Sequence, residues 1–461
     1  MGEGRGRRAR PDRGATVSVA VVGGGLAGIS AALALQESGH DVTLYEARPR
    51  LGGATHSFRR GGLWIDNGQH VFLRCCTAYQ GLLRRLGVAG DVRLQDRFDV
   101  TVVGADGHRG RLRRAGLPGP LHLVPALARY GLLAPADRAR AVRASLALRT
   151  LDPADPALDA TSVGRWLADH GQRDDALRDL WGLFVTASLN ADVDDASLAP
   201  AAMVLRTALL GRSDAADIGV PTVPLQELHG RAARAAIEAA GGRVRLKAKV
   251  TAVEPGFKLV VDGAMEAADA VVLAVPHRAA PALVPPSASP DRDTWAGLGH
   301  SPIVNVHVVY DRRVTPLPFL AATRSPAQWI FDRTAPSGLA SGQYLAVSVS
   351  AADRWAAMPA AELRRLFLPE LERLLPEAGG ARVEDFFVTR ERHATFRQRP
   401  GTAALRPGTV TRTPGMYLAG AWTDTGWPDT MEGAVRSGLA AAVAVRRHLQ
   451  PRSSEVTADD H

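Results

Sequence analysis

"TVSVAVVGGGLAGISAALALQESGHDVTLYEARPRLGG" (residues 16–53) opens with a short β-branched run that stops at a glycine cluster. That is the pattern of a buried parallel strand. Gly23, Gly25 and Gly28 form G-x-G-x-x-G. The spacing then predicts a helix from Leu26 to about Ser38, with Ala27, Ala31, Ala32 and Leu35 on its packing side and Gly39 as its stop. "DVTLYE" reads as a second strand ending at Glu46. The first glycine of such a loop permits a tight turn, the second lets the backbone approach a pyrophosphate, and the third lets helix and sheet pack closely. The helix N-terminus offers free N–H groups to phosphate, and a carboxylate placed like Glu46 accepts hydrogen bonds from a ribose diol. A glycine-rich turn without a ligand is the alternative. The strand before the loop, the helix after it and the acid in register favour a dinucleotide.

The continuation separates NAD from FAD. Arg50-Leu51-Gly52-Gly53 supplies a second pair of glycines just past the ribose, where a longer cofactor must thread inward. FAD is therefore the predicted cofactor. Later segments complete its domain. Residues 241–256, "GGRVRLKAKVTAVEPG", alternate like a strand, with the backbone near Val250 on the adenine side. "ADAVVLAVP" (268–276) is another buried strand. "GMYLAGAWTDTGWPDTMEGAVRSGLAAAVAVRRHL" (415–449) gives a strand, a polar turn and a helix starting at about Thr430–Met431. The positive end of that helix would favour the charge that a reduced flavin gains at its N1–C2=O edge. An unrelated β-meander and an ordinary amphipathic helix are the plainer readings of these segments.

Composition bounds the rest. At 461 residues the chain exceeds one compact core and predicts two or three lobes. The formal charge of +9 is carried almost wholly by arginine, but no basic stripe interleaved with aromatics points to nucleic acid. Cys75 and Cys76 are the only cysteines, which suits a reducing compartment. No apolar leader follows "GRRAR" and no window reaches a membrane span; the predicted location is cytoplasmic, with peripheral contact at the inner membrane surface as an extension.

"WIDNGQHVFLRCC" (64–76) packs Asp66, Asn67, Gln69 and His70 between apolar runs. Buried polar groups need partners. A turn with Asn67-Gly68 at its tip is one answer.

Taken together, the glycine signature, "DNGQHVFLRCCTAYQGLLRRLG", "SLNADVDDAS", "QWIFDR", "ATFRQRPGTAALRPG" and "LAGAWTDTGWPDTMEGAVRSG" resemble the hydroxysqualene dehydroxylases, within the amine-oxidase-like flavoproteins. The resemblance covers nearly the whole chain after residue 15. It implies an α/β, Rossmann-like FAD domain built from 16–90, 221–289 and 401–450 and an α+β substrate lobe from 91–220 and 290–400; the basic, aperiodic start at 1–15 and the tail at 451–461 are expected to be disordered. The implied cofactor contacts are Gly23, Gly25, Leu26, Ala27, Gly28, Glu46, Ala47, Arg48, Gly52, Gly53, Gly68, Val250, Gly420, Ala421, Thr430 and Met431. "DNGQH" would pass beside the flavin ring, making His70, Asp66, Asn67 and Gln69 the catalytic candidates: His70 as a proton donor charged near neutrality, Asp66 setting its protonation or holding the turn, and Asn67 or Gln69 orienting groups. A structural histidine capping a turn is the other reading of His70. Two positions depart from the family. Ala54 stands where an arginine usually follows the two glycines, and Ala421 where an acid usually follows "LAG". Both departures predict looser FAD binding.

The implied reaction is reductive removal of a hydroxyl from hydroxysqualene to give squalene. Another FAD-dependent polyprenoid desaturation or isomerisation, or a lipid carrier with a vestigial site, are the alternatives. No second G-x-G-x-x-G is present, so the sequence leaves the electron donor open, with a separate reductase as one candidate. "LPGPLHLVPALARYGLL" (117–133), preceded by Arg111, Arg113 and Arg114, reads either as a membrane-surface segment or as a buried cap helix.

Overall fold

The computed structural model describes residues 17–104 and 106–449. The tails expected at 1–15 and 451–461 lie outside the described residues. Ser18–Val22 is the centre of a five-stranded sheet ordered Arg243–Leu246, Asp41–Glu46, Ser18–Val22, Ala270–Leu273, Met416–Leu418. Every pairing in it is parallel. Such a sheet is covered on both faces, which is why its strands are continuously apolar. Val19 and Val21 pack under the helices Leu26–Gln36 and Met431–Leu449. Ala20 and Val22 pack on the opposite face with Leu259, Leu273, Trp295 and Trp422. The first helix ends at Gln36, two residues before Ser38, where the Gly39 N–H closes on the Gln36 carbonyl. The two helices touch backbone to backbone: a Cβ on Gly438 would lie 2.0 Å from the Ala27 carbonyl oxygen.

One expected strand divides. Residues 241–256 form Arg243–Leu246 in the parallel sheet and Val250–Glu254 in a separate antiparallel sheet with Lys258–Val261 and Ala264–Ala267. Lys247, at φ 58°, turns the chain between them, and the Lys247 and Ala248 N–H groups donate to the Arg48 and Glu46 carbonyls.

A seven-stranded sheet takes the order Val383–Thr395, Ser301–Tyr310, Gln343–Val349, Trp329–Asp332, Phe319–Thr323, Asp99–Gly104, Arg109–Arg113. All its pairings are antiparallel except that of Phe319–Thr323 with Asp99–Gly104. Val304, Val306 and Val308 point to one face, where Leu363, Phe367 and Leu371 of the helix Ala360–Leu374 cover them. The alternation puts Asn305 and His307 on the other face, fully buried. Helices around Ala141, Leu167, Val185 and Leu205 build a further apolar cluster with Val100, Phe319 and Phe331. The hairpin Ser57–Arg60/Leu63–Asp66 leads into the polar stretch, which makes side-chain contacts with both Leu225 and the seven-stranded sheet.

Candidate functional site

Within the first helix the earliest bond is Ile29 N–H to the Gly25 carbonyl, 2.9 Å, so the N–H groups before it face whatever occupies the helix end. Gly25 opens onto free space; an added Cβ there would meet only the Gly53 Cα, at 3.9 Å. A Cβ on Gly53 would come within 2.8 Å of the Gly25 Cα. The two glycine turns therefore face each other at close range. Glu46 is buried beside them. Its Oε2 accepts the Gly24 N–H and its Oε1 the Arg48 N–H, both at 2.7 Å, leaving further lone pairs on each oxygen. Open donors at a helix end, with a fixed carboxylate nearby, fit the diphosphate and ribose of FAD. Leu26 and Ala27 are buried in the first turn, Ala47 and Arg48 are exposed behind Glu46, and Val250 is buried at the start of its strand.

The other end of the cofactor domain is held by the last helix. The Gly420 N–H donates to Ser437 Oγ at 2.8 Å. Ala421 is buried, and its carbonyl accepts from Arg406 Nη2 at 3.1 Å. The same nitrogen reaches the Thr423 and Trp427 carbonyls. Arg406 has no carboxylate within ion-pair range among the described residues, and burial lowers its pKa. It ties the loop 421–427 together ahead of the helix. Thr430 Oγ1 accepts the Gly433 N–H at 3.2 Å, and the helix begins at Met431. Glu432 caps a second helix by accepting the Ala78 and Tyr79 N–H groups at 3.1 and 2.7 Å.

The polar stretch divides into a structural half and an open half. Asp66 accepts Ser57 Oγ at 2.5 Å, the Leu225 N–H at 3.1 Å and Arg333 Nη2 at 2.7 Å. Asn67 accepts the His56 N–H and donates to the Ala54 carbonyl and to Glu391 Oε1. By contrast, Gln69 Nε2, His70 Nε2 and Asn305 Oδ1 are buried with no protein partner. A Cβ on Gly68 would lie 3.4 Å from His70 Nε2 and 3.7 Å from Asn305 Nδ2, so His70 and Asn305 meet at that glycine. Orphaned polar atoms in a native interior call for a ligand or solvent; His70 and Asn305 face one together, while Gln69 lines a separate cavity with Trp64, Arg333 and Tyr344.

The expected charge on His70 is corrected. Burial pushes its pKa down to about 4; Asp66 pulls it upward and Arg333 adds to the depression. The imidazole is neutral at pH 7. His56 is lowered to about 4 and His229 to about 3, burial dominating in each. Two carboxyls shift the opposite way through burial, Asp192 and Asp429, the latter pushed up to about 6. Asp429 Oδ2 accepts the Phe396 N–H at 2.8 Å, and the residue lies two positions before Met431. Sequence reasoning missed Asp429, Asn305, Arg333 and Glu391. A signal existed for Asn305: "SPIVNVHVVY" puts Asn305 and His307 on the same face of an otherwise β-branched strand.

The family model of flavin-containing amine oxidoreductases matches residues 26–446. A hydroxysqualene dehydroxylase of Rhodopseudomonas palustris is 31% identical over 446 residues, 92% of this chain and 97% of the relative. A 15-cis-phytoene desaturase of Glycine max is 25% identical over 95% of this chain and 81% of its own length. Among solved structures, cyclohexylamine oxidase from Brevibacterium oxydans superposes with a TM-score of 0.71 at 23% identity, covering 94% of this chain and 99% of that one; at that identity it speaks for the fold. The two facing glycine turns, the buried Glu46 and the full-length match agree: the chain belongs to the flavin-containing amine oxidoreductase family and is an FAD-dependent oxidoreductase.

Proposed function

We propose that the protein removes the hydroxyl of hydroxysqualene reductively, giving squalene and water. The observation that carries this reading is the match along 92% of the chain to a hydroxysqualene dehydroxylase. The orphaned polar atoms of His70 and Asn305, side chains that meet at Gly68, support it, because an apolar substrate with one hydroxyl needs few polar contacts.

The C–O bond breaks with its electron pair leaving on oxygen, which takes a proton and departs as water. Reduced FAD, when bound, supplies the hydride that replaces it. In this account His70 Nε2 and Asn305 Oδ1 orient the hydroxyl, each having a free valence. Asp429 is the candidate for the proton, on its titration and its place just before the helix at Met431. A carboxyl held at about 6 is partly protonated near neutrality, whereas an imidazole held at about 4 is not. Electrons come from a separate reductase.

The likeness to phytoene desaturase favours a second reading, desaturation of a polyprenoid by oxidised FAD. Anaerobic incubation of chemically reduced protein with hydroxysqualene separates the two. Squalene should accumulate with one flavin oxidised per product. A flavin that stays reduced, while the oxidised protein dehydrogenates the chain, would establish the second.

The proposal includes contact with an anionic membrane surface. No helix among the described residues is long and apolar enough to cross a membrane. Leu117 and Leu121 are 42% and 53% exposed, Val124 lies beside them, and Leu146 projects from the helix Pro135–Thr150 at 52%. Arg143 and Arg149 sit three positions either side of Leu146; both are exposed and, with Arg129, lack a carboxylate partner among the described residues. The arginines expected at the headgroups are engaged elsewhere: Arg111 and Arg113 share Asp99, and Arg114 turns inward to the buried Asp217 at 2.7 Å.

A further inference from the structure

We propose that Arg50 is a phosphate-binding residue of the FAD site, doing from the near side of the double glycine what the absent arginine at position 54 would do from the far side. The inference rests on FAD binding and concerns how this particular chain achieves it.

Arg50 is partly buried, yet it has no carboxylate within ion-pair range among the described residues. Its one contact is a long hydrogen bond, Nη1 to the Gly53 carbonyl at 3.3 Å. That carbonyl belongs to the turn whose Cα faces Gly25, so the guanidinium lies at the opening where the first helix presents its free N–H groups. The nearby carboxylates have other partners. Glu46 accepts the Gly24 and Arg48 N–H groups, and Glu391 accepts from Asn67. The exposed Arg48 repels Arg50 and, after burial, lowers its pKa further, while Glu46 and Glu391 attract it from beyond ion-pair range. A half-buried cation with a cationic neighbour and no carboxylate in contact has room for an anion to complete it. A diphosphate at the helix end supplies that anion, and a guanidinium binds phosphate oxygens in a two-pronged fashion. Ala54 is exposed at the same turn and presents no charge.

The test uses full-length protein stripped of flavin and titrated with FAD at low and high salt, following quenching of flavin fluorescence. Arg50→Ala should weaken FAD binding by at least about 10-fold and flatten its salt dependence. Adding Ala54→Arg to that variant should recover most of the loss, while Ala54→Arg alone should tighten binding much less. Thermal melting of the stripped proteins reports any purely structural effect. Should Arg50→Ala prove unstable, Arg50→Gln at the same length keeps the comparison. Unchanged affinity in a folded Arg50 variant, or an unaltered salt dependence, would overturn the proposal. So would failure of Ala54→Arg to rescue. A wild-type protein that takes up no FAD would instead refute flavin binding itself.

Discussion

Arg333 Nη2 donates to Asp66 Oδ2 at 2.7 Å, with the two side chains 5% and 6% exposed. The pair joins the hairpin that carries the polar stretch to the end of the central strand Trp329–Asp332 of the seven-stranded sheet, and Arg333 Nη1 also holds the Pro221 carbonyl. Removing one member of a buried pair strands the other, at about 3–5 kcal/mol. Arg333→Met should therefore lower stability by about 3 kcal/mol, and Asp66→Asn somewhat less because the amide keeps partners. The double variant should lose less than the sum. Urea unfolding measures this. A large fall in turnover per FAD-loaded molecule with no loss of stability would return Asp66 to the chemistry.

Burial sets a pH dependence of known sign. His307 donates or accepts at Tyr344 Oη, 2.7 Å, and Thr389 Oγ1, 2.9 Å, and burial holds its pKa at about 3; His229 is held at about 3 as well. Their folded values lie below the unfolded 6.5, so the unfolded chain binds more protons. Their contribution is present above pH 6.5 and is lost as pH falls toward the folded values, by up to about 1.4 kcal/mol per pH unit for each histidine. Asp429, raised to about 6, acts oppositely between about 3.8 and 6, but it is one group against several histidines. Urea midpoints should drop steadily from pH 7 to pH 5. Flat midpoints would mean that these imidazoles are solvated.

Proton donation divides Asp429 from His70. Asp429→Asn should slow single-turnover flavin reoxidation by about 100-fold or more and remove the decline in rate above pH 6. His70→Gln should slow it by about 10-fold and leave the pH profile in place. Equal rates for Asp429→Asn and wild type would send the search for the acid elsewhere.

Membrane contact is read by co-sedimentation with anionic vesicles. Leu117→Ser/Leu121→Ser/Val124→Ser should reduce the bound fraction several-fold, and Arg143→Gln/Arg149→Gln should do so mainly at low salt. Undiminished binding by both folded variants would discard that face.

The parallel sheet was legible because its elements announce themselves locally: β-branched runs, the glycine spacing, and Glu46 at a strand end. The break at Lys247 was not, because a lysine at positive φ leaves no compositional trace and the alternation of residues 243–254 runs on through it. "DNGQH" stood out as polar residues amid apolar ones, yet its division into anchored Asp66 and Asn67 and open Gln69 and His70 depends in part on partners 159 to 324 positions away. Charge on His70 was misjudged for the same reason. A reference pKa is a property of the residue; desolvation is a property of the packing.

The most direct test of reductive dehydroxylation is the isotopic composition of the product. Reduced protein should be turned over once with hydroxysqualene in deuterated buffer, where the transferable hydrogen of the flavin exchanges with solvent. Squalene carrying one carbon-bound deuterium and no oxygen is the predicted result. Squalene without deuterium, or a product with fewer hydrogens than the substrate skeleton, would contradict it.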